Sequence, residues 1–157
     1  SHRKGLDEFI KLSKLLPSEY LIFLVGLKTE QINSLPDNIR GIARTENVEE
    51  LAGLYSNADV FVNPTWQDNF PTTNIEALAC GTPVITYNTG GSPEAIDKLT
   101  GIVVEKGDIN GLKIAIETIG SQDRKTIRKN CRERALKLFN KDDRFMDYLK
   151  LYEGLVK

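Results

Sequence analysis

Histidine is almost missing from this sequence: His2 is the single one among 157 residues. That argues against a Ser-His-Asp triad or a multi-histidine metal centre. Cysteine is scarce as well. Cys80 and Cys131 form neither a Cys-x-x-Cys motif nor a ligand cluster, and read as reduced core thiols of a cytosolic protein. No G-x-G-x-x-G follows any apolar run, which removes a dinucleotide oxidoreductase. The longest apolar run, residues 21–25, is too short to span a bilayer. The opening Ser1-His2-Arg3-Lys4-Gly5 lacks the apolar centre of a signal peptide. Neither sign of charge dominates: 21 Lys+Arg against 22 Asp+Glu leave a net charge of −1. Binding to nucleic acid through a broad basic field is therefore disfavoured. With 40% hydrophobic and 27% charged residues, the chain is neither low-complexity nor disordered. Its length suits one domain with a core that needs no disulfide or metal staple.

What is present is an alternation of strand-length apolar runs with helical patterns, and no internal repeat. A helix is expected after Gly5, carrying Leu6, Phe9, Ile10 and Leu16. Residues 21–25 read as a strand covered on both faces, closed by Gly26. Weaker or shorter strands are expected at 39–43, 59–62, 84–87 and 102–104. Asn47 with Glu50 reads as a capping box for the helix through Leu51, Leu54 and Tyr55. A helix over 73–80 ends at Gly81, with Pro83 beyond it. Ser92-Pro93-Glu94 starts a short helix. Three helices finish the chain, the second capped by Ser121 and the last carrying Phe145, Tyr148, Leu149 and Tyr152. This order predicts an α/β fold: a doubly wound parallel sheet, Rossmann-like, with helices on both faces. Ligands of such sheets sit beyond the carboxyl ends of the strands, so loops 26–28, 44–47, 63–73 and 88–92 carry the candidate residues.

The loop after the third strand is the densest. Its amides around Thr72, Thr73 and Asn74 are the free donors of a helix N-terminus, suited to an anion. Asp68 and Glu76 flank it. Carboxylates repel phosphate, so they should face neutral hydroxyls of a ribose or sugar. The structural alternatives stay open at this point. Thr73-x-x-Glu76 is also a capping box, and Asp68 fits an ordinary turn. Arg3 and Lys4 ahead of a helix oppose its dipole unless an anion is nearby, but also fit a solvated terminus. Gly90-Gly91 lets a ligand approach the backbone, or makes a tight turn. Trp66 is a platform or a core cover.

Taken in order, these segments resemble the group 1 glycosyltransferases, retaining enzymes of the two-domain GT-B architecture. The resemblance rests on Arg3-Lys4-Gly5, the strand ending at Gly26, and Tyr55-x-x-Ala58-Asp59-Val60-Phe61-Val62-Asn63-Pro64. It continues through the acidic pair, Glu76-Ala77-Leu78-Ala79-Cys80-Gly81-Thr82-Pro83-Val84-Ile85, and Thr89-Gly90-Gly91-Ser92-Pro93-Glu94. It matches the carboxy-terminal, donor-binding domain and covers nearly the whole chain. Seven residues separate Asp68 from Glu76, the spacing of the family's two glutamates, with aspartate as the first acid here. Asn69-Phe70-Pro71 stands where the family has Gly-Phe-Gly.

The resemblance implies the following. Glu76 holds the ribose hydroxyls of a nucleotide-diphosphate sugar, and Asp68 faces the sugar ring. Lys4 takes the diphosphate, with Arg3 as its partner. The catalytic set is Asp68, Lys4 and Arg3; the donor-binding set is Glu76, Phe70, Thr72, Thr73, Asn74 and Thr45. No cofactor or metal is expected, in line with the lack of an Asp-x-Asp motif. The expected partners are the nucleotide sugar, a glycan or lipid-linked glycan acceptor, and an amino-terminal acceptor domain of a longer protein. Transfer goes to a polysaccharide or glycolipid hydroxyl, in the cytoplasm, with any membrane association made through the acceptor domain. The chain alone is expected to be an inactive fragment. The family's strand before Arg-Lys-Gly is not in this sequence. Residues 21–25 and 59–62 should then pair directly or receive a strand from elsewhere. The alternatives are a nucleotide-sugar epimerase of related architecture and a non-catalytic nucleotide-sugar-binding module.

Overall fold

A computed structural model describes residues 2–64 and 72–139, with residues 2–4 and 139 described through their backbone alone. The elements run α1 (His2–Leu15), β1 (Ile22–Val25), α2 (Thr29–Asn33), β2 (Ile39–Ile42), α3 (Val48–Asn57) and β3 (Phe61–Asn63). They continue α4 (Thr72–Ala79), β4 (Val84–Tyr87), a 3-10 turn (Ser92–Ala95), β5 (Gly101–Val104), α5 (Ile109–Gly120) and α6 (Arg124–Phe139). The expected final helix lies outside the described residues, and the short α2 was not anticipated.

All strand pairs are parallel. β3, β4 and β5 form one ladder, with Phe61 opposite Val84 and Tyr87 opposite Val104. β1 pairs with β2, Ile22 opposite Ile39. Among the described residues β1 and β3 do not pair, so the expected single sheet is interrupted there. A groove of about 1420 Å³ lies between them, walled by Leu12, Leu16, Leu24, Phe61 and Ile119. β1 is also less covered than its apolar sequence implied. Leu24 is buried, but Phe23 stays 54% exposed and Val25 43%. An all-apolar strand states that both faces tolerate burial; only packing decides which face is covered.

The core centres on β4. Flanked by strands on both sides, it buries Val84, Ile85, Thr86 and Tyr87 completely. Each such apolar side chain contributes roughly 1.5–3 kcal/mol of transfer free energy. α6 brings Ile127, Cys131 and Ala135 inward at four-residue spacing, while Leu138 stays 40% exposed. α5 buries Leu112, Ala115, Ile116 and Ile119. α1 starts at His2, so Arg3 and Lys4 lie in its first turn rather than ahead of it. Its buried side is Glu8, Leu12 and Ser13, joined by Leu16 just past its end. The carboxylate of Glu8 enters the core because the hydroxyl of Tyr87 donates to it. Burial, first, and that bond push the Tyr87 phenol well above its ordinary range.

Local signals account for the helix ends. The side chain of Asn47 accepts from the Glu50 amide at 2.8 Å, as expected, and Glu50 accepts from the Glu46 amide at 3.1 Å. α4 ends at Gly81, whose φ of 80° is left-handed backbone open to glycine. The Thr82 amide then reaches back to the Ala77 carbonyl at 2.9 Å. Ser121 closes α5 instead of opening α6. Asp123 caps α6, accepting from the Thr126 amide at 3.0 Å, and the Thr126 hydroxyl and amide hold its carboxyl below the usual value. A carboxylate also meets the positive end of the helix dipole, which a serine hydroxyl does not.

Two measurements check this architecture. In hydrogen exchange, the amides of Val84–Tyr87 should outlast those of β1 and β3 by about tenfold or more, because β4 is paired on both edges. Equal protection of all three would show that the edges of β1 and β3 are not open. Burial pushes the thiols of Cys80 and Cys131 up to about 12 from an ordinary 9.0. At pH 8 about one thiol in ten thousand is then ionised, so iodoacetamide should leave the folded chain unmodified and label both after unfolding. The unfolded chain ionises first. The thiols' contribution to stability is thus complete below pH 9.0 and is lost as pH rises toward 12.

Candidate functional site

The site is organised by a buried carboxamide. Asn74, in the first turns of α4, has no exposed surface. Its Oδ1 accepts from Asn63 Nδ2 at 2.9 Å, at the carboxyl end of β3. Its Nδ2 donates to the Ser92 carbonyl at 3.1 Å and lies 3.2 Å from the Ser92 hydroxyl. Thr86 of β4 completes the set, donating to the Asn63 carbonyl at 3.2 Å and sharing a hydroxyl–hydroxyl bond with Ser92. A buried amide without partners costs about 1–3 kcal/mol, so these bonds hold four segments in one arrangement. They tie β3, α4, β4 and the 88–92 loop together. Gly90 turns that loop through a φ of 50° just before Ser92. The sequence reading placed Asn74 among ligand-binding residues. Its side chain faces the interior, which leaves only its backbone amide for a ligand.

With Asn74 turned inward, α4 presents Thr72 and Thr73 to solvent. The first turn of a helix leaves amides without intrahelical partners, a natural seat for an anion. Glu76 is half-buried further along. A Thr73–Glu76 capping box does not fit this geometry. The helix already includes Thr72, so Thr73 is inside it and not at its N-cap. The carboxylate of Glu76 instead meets α3: the Tyr55 hydroxyl donates to Oε2 at 3.3 Å. The sequence placed Tyr55 on the helix after Asn47 and in the segment that resembles the family, with no role for its hydroxyl. Its ring packs edge-to-face on Phe61, with centroids 5.4 Å apart and planes at 83°. Its carbonyl accepts from the Thr82 hydroxyl. A tyrosine on the apolar stripe of one helix carries no mark in sequence that its hydroxyl meets a carboxylate on another.

Thr73, Glu76, Tyr55 and Asn63 all line the groove between the sheets. So does Gly5, the residue after Lys4 in α1. The structure therefore brings the first turns of two helices, α1 and α4, to one cavity. Thr45, half-exposed in the loop after β2, does not line it. The side chains of Arg3 and Lys4, and all of Trp66, Asp68 and Phe70, lie outside the described residues. Among the described residues no three His, Cys, Asp or Glu side chains come together as a metal site. None of the described helices is long and apolar enough to cross a membrane. A cavity bordered by the Glu76 carboxylate, by Thr73 and by the first turn of a helix can receive a polyhydroxylated ligand that also carries an anion.

The chain is 30% identical to the capsular polysaccharide biosynthesis glycosyltransferase CapM of Staphylococcus aureus, over 98% of this chain and 44% of that protein. Its structure matches sucrose-phosphate synthase from Thermosynechococcus elongatus with a TM-score of 0.78 and 31% identity, over 99% of this chain and 43% of that one. Anabaena HepE, solved in complex with UDP-glucose, shares the fold at a TM-score of 0.75 and 20% identity, over 99% of this chain and 46% of its own. The chain thus spans less than half the length of these relatives. A family model described as glycosyl transferases group 1 matches residues 1–122. The chain belongs to the group 1 glycosyltransferases and has the α/β, Rossmann-like fold of their GT-B architecture.

Proposed function

We propose that this chain is the donor-binding part of a retaining hexosyltransferase that uses a nucleotide-diphosphate sugar. The observation that carries the reading is the shared groove: Glu76 and Thr73 of α4 and Gly5 of α1 border one cavity. Glu76 accepts hydrogen bonds from the ribose hydroxyls. The diphosphate lies on the amides of Thr72, Thr73 and Asn74, with Lys4 and Arg3 from the first turn of α1 supplying positive charge. Asp68 and Phe70 contact the sugar, and Thr45 contributes from the loop after β2. The bond between the anomeric carbon and the diphosphate oxygen breaks, the acceptor oxygen takes that carbon with the same configuration, and the acceptor's proton passes to the departing diphosphate. Stabilising the departing diphosphate is then the main catalytic task, and preorganised donors and cations perform it. No divalent metal or cofactor enters this reading. UDP-glucose in the HepE complex, on the same fold, supports a nucleotide-sugar donor.

The acceptor hydroxyl comes from a polysaccharide or a glycolipid and is held by a second, amino-terminal domain. The naming of the Staphylococcus aureus relative for capsular polysaccharide biosynthesis supports this class of acceptor. The second domain is supported by the share of the matched structures that the chain spans, 43–46%. Without that domain, water is not excluded from the anomeric carbon and the acceptor is not oriented. The purified chain is therefore expected to bind a nucleoside diphosphate weakly and to transfer no sugar. Calorimetry with UDP, ADP and GDP, and a radiolabelled transfer assay, check both halves. Robust acceptor-specific transfer would remove the second domain from the reading.

Glu76→Gln tests the ribose contact. Gln keeps the size of the side chain and still accepts from Tyr55, so the melting temperature should change little. Hydrogen bonds to a charged group are worth roughly 1.5–3 kcal/mol, so nucleotide affinity should fall about tenfold or more. Inorganic pyrophosphate has no ribose and should bind no worse. A sharp drop in melting temperature with intact nucleotide affinity would make Glu76 a structural residue.

A further inference from the structure

We propose that Tyr55 is a positioning residue for the donor site: its hydroxyl holds the Glu76 carboxylate in the orientation that meets a ribose. The proposal rests on the ribose role of Glu76 and adds a group from a different helix, which no ligand contact had suggested. Three observations support it. The hydroxyl donates to Glu76 Oε2 at 3.3 Å, and both residues line the same groove. The phenol ring is itself immobilised. It is 8% exposed, packed edge-to-face on Phe61, and its backbone carbonyl receives the hydroxyl of Thr82, in the turn that follows α4. The position of the hydroxyl is thus set by the packing of α3 against α4 and not by the bond it donates. Glu76, with more rotatable bonds than the packed phenol, is the member whose rotamer the contact bears on. A glutamate ordered only when ligand arrives pays its rotamer entropy at that moment, and one ordered beforehand does not. A carboxylate has acceptor sites to spare after taking one phenolic bond.

A purely structural reading of the same bond exists. A buried phenol needs an acceptor, and Glu76 is one. The two readings differ in what they predict for ligands. On the structural reading, loss of the hydroxyl changes stability or all ligands alike. On the positioning reading, it changes only the discrimination in favour of a ribose that bears hydroxyls.

The test compares UDP, ADP and GDP with their 2′,3′-dideoxy counterparts by calorimetry on the full chain. It uses the wild type, Tyr55→Phe, Glu76→Gln and the double variant. Tyr55→Phe keeps the ring on Phe61 and should fold with nearly the same melting temperature. Its preference for the tightest-binding nucleotide over the dideoxy form should fall about three- to tenfold, with the dideoxy affinity within twofold of wild type. In the double variant, Tyr55→Phe should add nothing to the loss caused by Glu76→Gln, since the two act as one unit. An unchanged preference in Tyr55→Phe, or equal weakening of both nucleotides, overturns the positioning role while leaving Glu76 in place. Failure of Glu76→Gln to reduce the preference, or no nucleotide binding by the wild type, overturns the ribose reading and this one with it.

Discussion

The carboxamide of Asn74 must find its partners inside the protein, and much of the molecule's functional face follows from that requirement. Fully buried, it is bonded to Asn63 and Ser92, with Thr86 closing the set. These residues come from the end of one strand, a helix, the neighbouring strand and the loop beyond it. None can shift independently without leaving a polar group unpaired in an apolar interior. The orientation of α4 about its own axis is thereby set. Since successive residues of a helix turn by about 100°, turning Asn74 inward sends Thr72 and Thr73 outward and leaves Glu76 at the boundary. The polar interior and the ligand-facing surface are two sides of one helix.

Two further polar contacts between elements shape the same region. Thr82, in the turn after α4, donates to the backbone of Tyr55 in α3, and Tyr55 returns a bond to Glu76. Apolar packing of α3 on α4 alone would permit sliding by fractions of a turn; these two bonds specify the register. Across the core, Glu8 of α1 and Tyr87 of β4 form a bond of similar consequence. It pins the helix that carries Arg3 and Lys4 to the strand at the centre of the fold. Helix α1 therefore borders the groove in a fixed position, at the cost of a carboxylate held in the interior.

Much of this was legible in the residues. The fold class follows from alternating periods of two and 3.6, and five strands stand within two residues of where apolar runs placed them. The caps at Asn47 and Gly81 are local chemistry, decided by one side chain and one backbone angle, and so are readable one turn at a time. The helix that follows β3 was legible too, since residues 73–80 carry its apolar pattern up to Gly81. What local pattern left undecided shares a cause. Ser121 against Asp123 is a competition between two adequate caps, settled by where α5 releases the chain. Glu8 enters the interior because Tyr87, far away in sequence, provides its donor. The side chain of Asn74 turns inward for the same reason, because its partners Asn63 and Ser92 are brought to it by the fold.

Sequence alone determined the family, the parallel α/β architecture, the two buried thiols and the helix that carries Glu76. Each rests on local pattern or on composition, which no distant contact can alter. Tertiary structure decided the rest: that the β1–β2 and β3–β4–β5 ladders stay separate among the described residues, with a groove between them, and that α1 and α4 both border it. It also decided that Asn74 serves the interior while Glu76 answers to Tyr55. The physical reason is that a hydrogen bond needs two partners at one distance and angle, and periodicity reports only which side of an element is apolar. Where a polar side chain goes is a property of the pair, and the second member is named by the fold.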